Sequence, residues 1–287
     1  MKRKLLTLLA LVAATLPMPR AGAQTTIEPL AEVHGRWTLE GSPYLVMGEA
    51  IVPKRKTLEI EPGVQVLFKT GEVVAYDSTA FDLGFLRVNG SLVARGTAQA
   101  PVRFSRQGEQ GNWGIVLVNS SEIGIAFEHC VFEHANKLRR VFGFEYFCGA
   151  LSLKQSTASI RNCLFVDNLN EGIDCKDGSS PTIESCTFVG NQWRGIFSSS
   201  QSHPMVKNSI FWANALGDIG QYDAQVSLLF SLVEKEETQY LATVFQSNIV
   251  GQDPKFQDLQ ARDLRLKRNS PAKAKGETGQ DLGVQFD

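Results

Sequence analysis

From Gly149 onward, apolar and polar positions recur every 23 residues. Segments starting at Gly149, Gly172, Gly195 and Asp218 align without a gap. Ile160, Ile183 and Val206 share one position of the repeat, Cys163, Cys186 and Ser209 a second, Phe165, Phe188 and Phe211 a third, and Asn168, Asn191 and Asn214 a fourth. Phe127, Cys130 and Phe132 form an earlier copy, displaced by insertions. The unit is too short for common helical repeats, which need 3.6-residue periodicity and usually thirty or more residues. Its β-branched and aromatic runs, broken by Gly, Asn, Ser and Pro, predict three short strands and three turns per unit. Upstream, residues 44–68 alternate around Thr57-Leu58-Glu59-Ile60 and turn at Glu61-Pro62-Gly63.

Coils of this length stack about 4.8 Å apart, so equivalent residues form ladders. The Ile, Cys/Ser and Phe rows become interior. Asn162, Ser185 and Asn208 fall at a turn, as do Asn168, Asn191 and Asn214. Asn tolerates the left-handed backbone of a sharp corner, and its amide can bond to the Asn one coil away. The phrases SSPTIESCTFVGN and PMVKNSIFWAN resemble the right-handed parallel β-helix repeat of bacterial secreted proteins, the pectate-lyase-like superfamily. SPYLVMGEAIVPKRKTLEIEPGVQVLF, LRVNGSLVARGTAQAPVRF and GNWGIVL are similar to its opening coils, and DPKFQDLQARDLRLKRNSPAKAKG to its ending. The resemblance implies an all-β, right-handed parallel β-helix of about 23 residues per coil with a C-terminal cap. That superfamily holds polysaccharide lyases, glycoside hydrolases, carbohydrate-binding modules and surface proteins, and the matching residues are interior and corner ones. The fold therefore does not select the activity.

Three segments break the period. Residues 70–84 read as a loop or small excursion between coils. Residues 133–148 read as an excursion whose three Phe and one Tyr predict that it packs back on the solenoid. Residues 241–287 turn polar and irregular and read as a last coil plus the C-terminal cap, which an open solenoid end needs to prevent edge-to-edge association.

The first 23 residues read as an address. Lys2, Arg3 and Lys4 precede a mostly apolar run, Leu5 to Leu16, that is too short for an ordinary membrane span, and Ala21-Gly22-Ala23 supplies a small-residue cleavage site. Residues 1–23 are thus expected to be a signal peptide and 24–287 a single exported domain, periplasmic or extracellular. Cleavage removes Lys2, Arg3, Lys4 and Arg20 and no acid, which takes the formal charge from −1 to about −5 and disfavours a nucleic-acid partner. No later stretch reaches about 18 uninterrupted apolar residues, so no membrane span is expected in the mature chain.

Among the five cysteines, Cys130, Cys163 and Cys186 share an interior row, Cys175 points inward one strand earlier, and Cys148 sits in the excursion. Ser209 in the same row indicates a position for a small side chain, so buried thiols are expected in preference to disulfides there. His129, Cys130 and His134 diverge around a corner and do not make a metal site. Arg161, Glu184 and Lys207 form an outer row of alternating charge, readable as surface ion pairs.

The surface with the most chemistry is the outer side of the strand that begins each repeat. It carries Asp174 and Lys176, Phe197 and Ser199, and Tyr222, with Trp193 and Arg194 before one strand and Glu171 and Asp177 flanking another. Aromatic faces beside acids and bases suit sugar rings. Arg194 and Lys176 near Asp174 and Asp177 are also what uronate recognition and β-elimination need. Arg139 and Arg140 in the excursion offer a wall. The N-T-D, D-D and G-H-G motifs of pectinolytic hydrolases are absent. A calcium-dependent lyase needs several converging acids near an Arg, for which Glu171, Asp174, Asp177 and Arg194 are candidates, and phosphate-loop, nucleophile-elbow and zinc signatures are missing. The expectation is a non-catalytic exported protein presenting a long face to a polysaccharide or another envelope polymer, with no cofactor unless calcium binds. A polysaccharide lyase or glycoside hydrolase, and a structural or protein-interaction module, are the alternatives.

Overall fold

The computed structural model describes residues 24–71, 83–119, 124–140 and 145–286. The expected signal segment and most of the 70–84 loop lie outside the described residues.

Three parallel sheets of ten, eight and nine strands run along the molecule, and successive coils contribute one strand to each sheet in turn, except the last, which adds none to the eight-stranded sheet. One coil, for instance, supplies Glu171–Lys176 to the eight-stranded sheet, Thr182–Glu184 to the nine-stranded sheet and Thr187–Val189 to the ten-stranded sheet. The predicted rows are the observed registers. Ile160 pairs with Ile183 and Ile183 with Val206. Phe104, Phe132, Phe165, Phe188 and Phe211 stack face to face through the interior, with ring centroids 4.6–4.9 Å apart. Phe127 and Phe132 join the same ladders, as expected of the displaced copy.

The ungapped alignment needs a correction at both ends. In the eight-stranded sheet Gly149 pairs with Glu171 and Ser152 with Asp174, one residue short of the repeat. Met205 pairs with Ser227 with the same shortfall. A turn absorbs the missing residue each time, and the hydrophobic rows stay in phase.

The corner chemistry is divided between two rows. Asn162, Ser185 and Asn208 have left-handed backbones, with φ of 50–53°. In the other row the left-handed residues are Asp167, Gly190 and Ala213, each just before the Asn. Asn168, Asn191 and Asn214 are instead a buried amide ladder. Asn168 Nδ2 donates to Asn191 Oδ1, and Asn191 Nδ2 to Asn214 Oδ1, both at 2.8 Å. The three amides also donate to the carbonyls of Phe132, Phe165 and Phe188. These carbonyls lie inside the coil, where no water competes, so the ladder fills acceptors that would otherwise be orphaned.

All five cysteines are free thiols, and Cys130, Cys163, Cys175 and Cys186 are buried. The Cys/Ser row also makes hydrogen bonds. Cys163 Sγ donates to the Arg161 carbonyl and Ser209 Oγ to that of Lys207, while Ser209 Oγ accepts the Cys186 N–H. The position thus takes a small side chain that can close the corner behind it.

The excursion forms an antiparallel pair, Leu138–Arg140 with Glu145–Phe147. Phe147 packs with Leu83, Phe85, Ile115 and Leu117 in a cluster separate from the interior core. The aromatic excursion therefore does return to the solenoid.

Residues 241–287 complete the last coil through Val244–Gln246 and Ile249–Val250. The chain beyond them runs back along the flank rather than across the end. Phe256, Leu264, Ala272, Leu282 and Val284 cover an apolar outer face made by Val131, Leu164, Val166, Val189, Ile210 and Leu232. Arg262 pairs with Asp167, Glu277 with Lys207, and the Val284 N–H bonds to Thr187 Oγ1. The outer charge row is correspondingly split: Arg161 meets Glu184 at 3.6 Å, and Lys207 turns to Glu277. At the end of the eight-stranded sheet a one-turn helix, Thr238–Leu241, is fastened by Asp218, whose Oδ2 accepts from Thr238 Oγ1 and the Lys235 N–H.

Candidate functional site

The outer side of the eight-stranded sheet, over the coils from Glu171 to Tyr222, brings most of the expected site residues together. The strand Glu171–Lys176 places Asp174 and Lys176 on this side, and the next strand, Arg194–Ser199, sets Phe197 beside Asp174. Gly220 follows in the same row. A Cβ there would stand 2.6 Å from the Arg194 side chain and 2.8 Å from Phe197, so only glycine lets Arg194 lie across the sheet. The Arg194 guanidinium sits 5.7 Å from the Phe197 ring centroid.

The face has two parts. On one, the aromatics are accessible: Trp193 is 40% exposed, Phe197 half-buried and Tyr222 75% exposed, with Leu216 at 56% one coil on from Trp193. Lys137 Nζ approaches the Trp193 ring at 6.0 Å. Trp193, Leu216 and Tyr222 lie at strand ends, whereas Phe197 is within its strand.

The other part is closed. Glu171 and Asp174 are buried carboxyls, 2% and 1% exposed. Asp174 Oδ2 accepts the Cys148 N–H at 3.1 Å and lies 3.7 Å from Lys176 Nζ, which sits 5.9 Å from the Phe147 ring. Asp174 Oδ1 and Glu171 Oε2 have no hydrogen-bond partner among the described residues. Burial pushes Glu171 up to about 7, and the neighbouring Asp174 adds to the shift. Burial likewise pushes Asp174 up to about 6, against the pull of Lys176. Loss of hydration disfavours the ionised form in each case. The Cys148 thiol beside them is pushed up to about 12, mainly by burial.

Asp177 stands at the corner with φ of 54° and pairs with Lys154 at 3.7 Å, apart from the two buried acids. Arg139 and Arg140 lie in the excursion strand, and their side chains are outside the described residues. Among the described residues no three His, Cys, Asp or Glu side chains form a group fit to hold a metal ion. His129 and His134 both occupy left-handed corner positions. No helix among the described residues is long and apolar enough to cross a membrane.

Two features went unread in the sequence. The first is the roof that the excursion puts over Asp174. The second is a buried serine ladder beneath the neighbouring corner: Ser156, Ser179 and Ser202, each N–H donating to the next hydroxyl. The ladder was visible as Ser at 23-residue spacing.

Residues 114–229 match the family model described as right handed beta helix region. No curated protein matches the chain. The matched segment spans the Ile and Asn ladders, the Phe stack from Phe132 to Phe211 and the whole candidate face. With three parallel sheets that each take one strand per coil, it makes this chain a right-handed parallel β-helix repeat protein.

Proposed function

We propose that this chain is an exported, non-catalytic β-helix protein, periplasmic or extracellular, that presents the Trp193–Tyr222 face to carbohydrate of an envelope or extracellular polymer. The observation that carries the reading is the accessible set Trp193, Phe197 and Tyr222 on one face, with Arg194 over the Phe197 ring and Gly220 leaving room for both. Sugar rings stack their C–H faces on such side chains and turn their hydroxyls to neighbouring polar groups. A rigid solenoid costs little ordering entropy on binding, which favours a long, weakly contacted polymer. No cofactor enters this reading, and calcium gains no support from Glu171 and Asp174, which share their surroundings with Lys176 and Arg194.

The test is retention of the mature chain on immobilised neutral and uronate polysaccharides. Trp193→Ala and Phe197→Ala are expected to weaken retention by about tenfold or more, about 1.4 kcal/mol, without shifting the unfolding midpoint. Retention unchanged in both variants would remove this face.

A hydrolytic reading has one observation in its favour: Glu171 and Asp174 are neighbouring carboxyls pushed to about 7 and 6, in the range where a carboxyl can give and take a proton. It requires the polymer to reach groups that Phe147 and Cys148 now cover. New reducing ends that vanish in Glu171→Gln would favour it. The elimination reading is less well served, because Lys176 is paired with Asp174 and the Arg194 guanidinium lies over the Phe197 ring.

A further inference from the structure

The open part of the candidate face is short along the solenoid axis and longer along the strands. Ser152, Asp174, Phe197 and Gly220 follow one another coil by coil in one outward row. Ser152 and Asp174 are buried, Asp174 beneath the Cys148 N–H, so toward the earlier coils the row is closed to a ligand. Toward the later coils the eight-stranded sheet stops at Gly217–Tyr222, and the one-turn helix Thr238–Leu241 packs against that last strand. Among the described residues, the accessible aromatic ground is thus two strands deep, about 10 Å at the spacing of neighbouring strands.

Along the strands the opening is about twice as long. Trp193 stands just before Arg194–Ser199, Phe197 is within that strand, and Tyr222 pairs with Ser199 from the next coil. Six residues separate Trp193 from Ser199, about 20 Å at the rise of a strand, while Tyr222 is offset by only one coil, about 4.8 Å. The three rings therefore line up nearly parallel to the strands. Between them lies the Arg194 guanidinium, over Phe197 and beside Gly220, with donors suited to hydroxyl oxygens. A chain resting on Trp193 and Tyr222 must cross the solenoid. A chain parallel to the axis has only the neighbouring row that holds Lys154, Lys176, Ser199 and Tyr222, and it leaves Trp193 untouched. The straight arrangement also sorts glycans by shape, because an extended chain keeps contact with both ends of the row while a coiled one curves away from the sheet.

We propose that this face binds a short internal stretch of an extended, linear glycan laid crosswise, parallel to the strands, with sugar rings stacked on Trp193 and Tyr222 and the units between them bonded to Arg194. The proposal rests on the carbohydrate reading of the face and adds the shape of the glycan, its direction and the length of chain that is read.

The experiment titrates the mature chain calorimetrically with β-linked gluco- and manno-oligosaccharides and with oligogalacturonates, each from the disaccharide to the octasaccharide, and with malto-oligosaccharides as the coiled comparison. In at least one extended series, affinity is expected to climb until the chain spans Trp193 to Tyr222, and to gain less than about twofold from the hexaose to the octaose. The malto series should bind about tenfold more weakly or not at all. Trp193→Ala and Tyr222→Ala should each weaken the hexaose by about tenfold, whereas Lys154→Ala should leave it within about twofold, with unfolding midpoints unchanged in all three. Affinity that still climbs at the octaose, and falls with Lys154→Ala but not with Trp193→Ala, would lay the glycan along the axis; it overturns the proposal and keeps the carbohydrate reading. Binding of the malto series as tight as the extended ones also overturns it. Silence toward every oligosaccharide overturns the proposal, and the retention test on immobilised polymers then decides separately whether the carbohydrate reading survives.

Discussion

Replacing Asn191 by Ala tests the interior amide ladder, because Asn191 is its middle rung. Its side chain makes four hydrogen bonds: Nδ2 donates to Phe165 O at 3.1 Å and to Asn214 Oδ1 at 2.8 Å, while Oδ1 accepts the Asn168 N–H at 3.3 Å and Asn168 Nδ2 at 2.8 Å. Alanine removes all four. Each such bond contributes about 0.5–1.5 kcal/mol net, and a buried partner left alone costs about 1–3 kcal/mol. Asn168 keeps its bond to Phe132 O, and Asn214 still accepts the Asn191 N–H, so neither amide is fully stranded. The expected loss is about 3–5 kcal/mol. Asn214→Ala removes three bonds at the last rung and should cost less, about 2–4 kcal/mol. Urea unfolding followed by circular dichroism reads the difference. With a slope of about 3 kcal/mol per molar, the Asn191→Ala midpoint falls by about 1 M or more. The neighbouring Gln192, which is exposed, provides the control. An Asn191→Ala midpoint within error of Gln192→Ala would refute the ladder as a source of stability.

Two further outcomes follow from buried groups. Burial pushes Asp218 up to about 7 from 3.8, so the folded chain holds a proton that the unfolded chain releases. That stability is complete below about pH 4 and is lost as pH rises to about 7, a contribution of roughly 4 kcal/mol at most. Glu171 and Asp174 act in the same direction. Asp218→Asn keeps an acceptor for Thr238 and the Lys235 N–H and should flatten the decline between pH 5 and 8 in denaturant midpoints; an unaltered pH slope would contradict the assignment. The thiols supply the other outcome. Native protein at pH 8 should react only slowly with a thiol reagent, since four cysteines are buried and Cys148 is pushed up to about 12, whereas unreduced protein in denaturant should show all five. A rapidly reacting native thiol, or fewer than five in denaturant, would count against this arrangement.

The ladders were legible because one coil repeats one environment. Ile160, Ile183 and Val206 recur at a spacing that only stacked strands convert into contact, and period and contact are there the same fact. The flank was legible too, in a pattern the interior rows overshadow. Leu164-Phe165-Val166 and Ile210-Phe211-Trp212 are apolar at every position, and a strand apolar on both parities has both faces covered. Phe165 and Phe211 face the core, while Leu164, Val166 and Ile210 need the returning tail, which supplies Leu264, Leu282 and Val284. A reading restricted to one parity leaves that tail to cross the end of the solenoid.

The candidate site was less legible for a different reason. Strand alternation places Asp174 and Lys176 on the outer side, and that holds. Alternation says nothing of what lies above a face. The excursion leaves the solenoid after Glu133 and returns at Gly149, and where its aromatic end lands is decided by an outward apolar patch, Phe85, Ile115 and Leu117, from the two preceding coils of the same sheet. Phe147 seeks that patch, and the residue after it, Cys148, is thereby set over Asp174, giving it a hydrogen bond and taking away its water. A carboxyl that one strand's pattern offers to solvent thus becomes a buried one through a hydrophobic contact made elsewhere. Its neighbours Trp193, which meets only the Lys137 end of the excursion, and Tyr222 stay open. The division between a closed acidic half and an accessible aromatic half is therefore set by the excursion, and shortening the excursion should expose Asp174 before it alters the face that Trp193 and Tyr222 present.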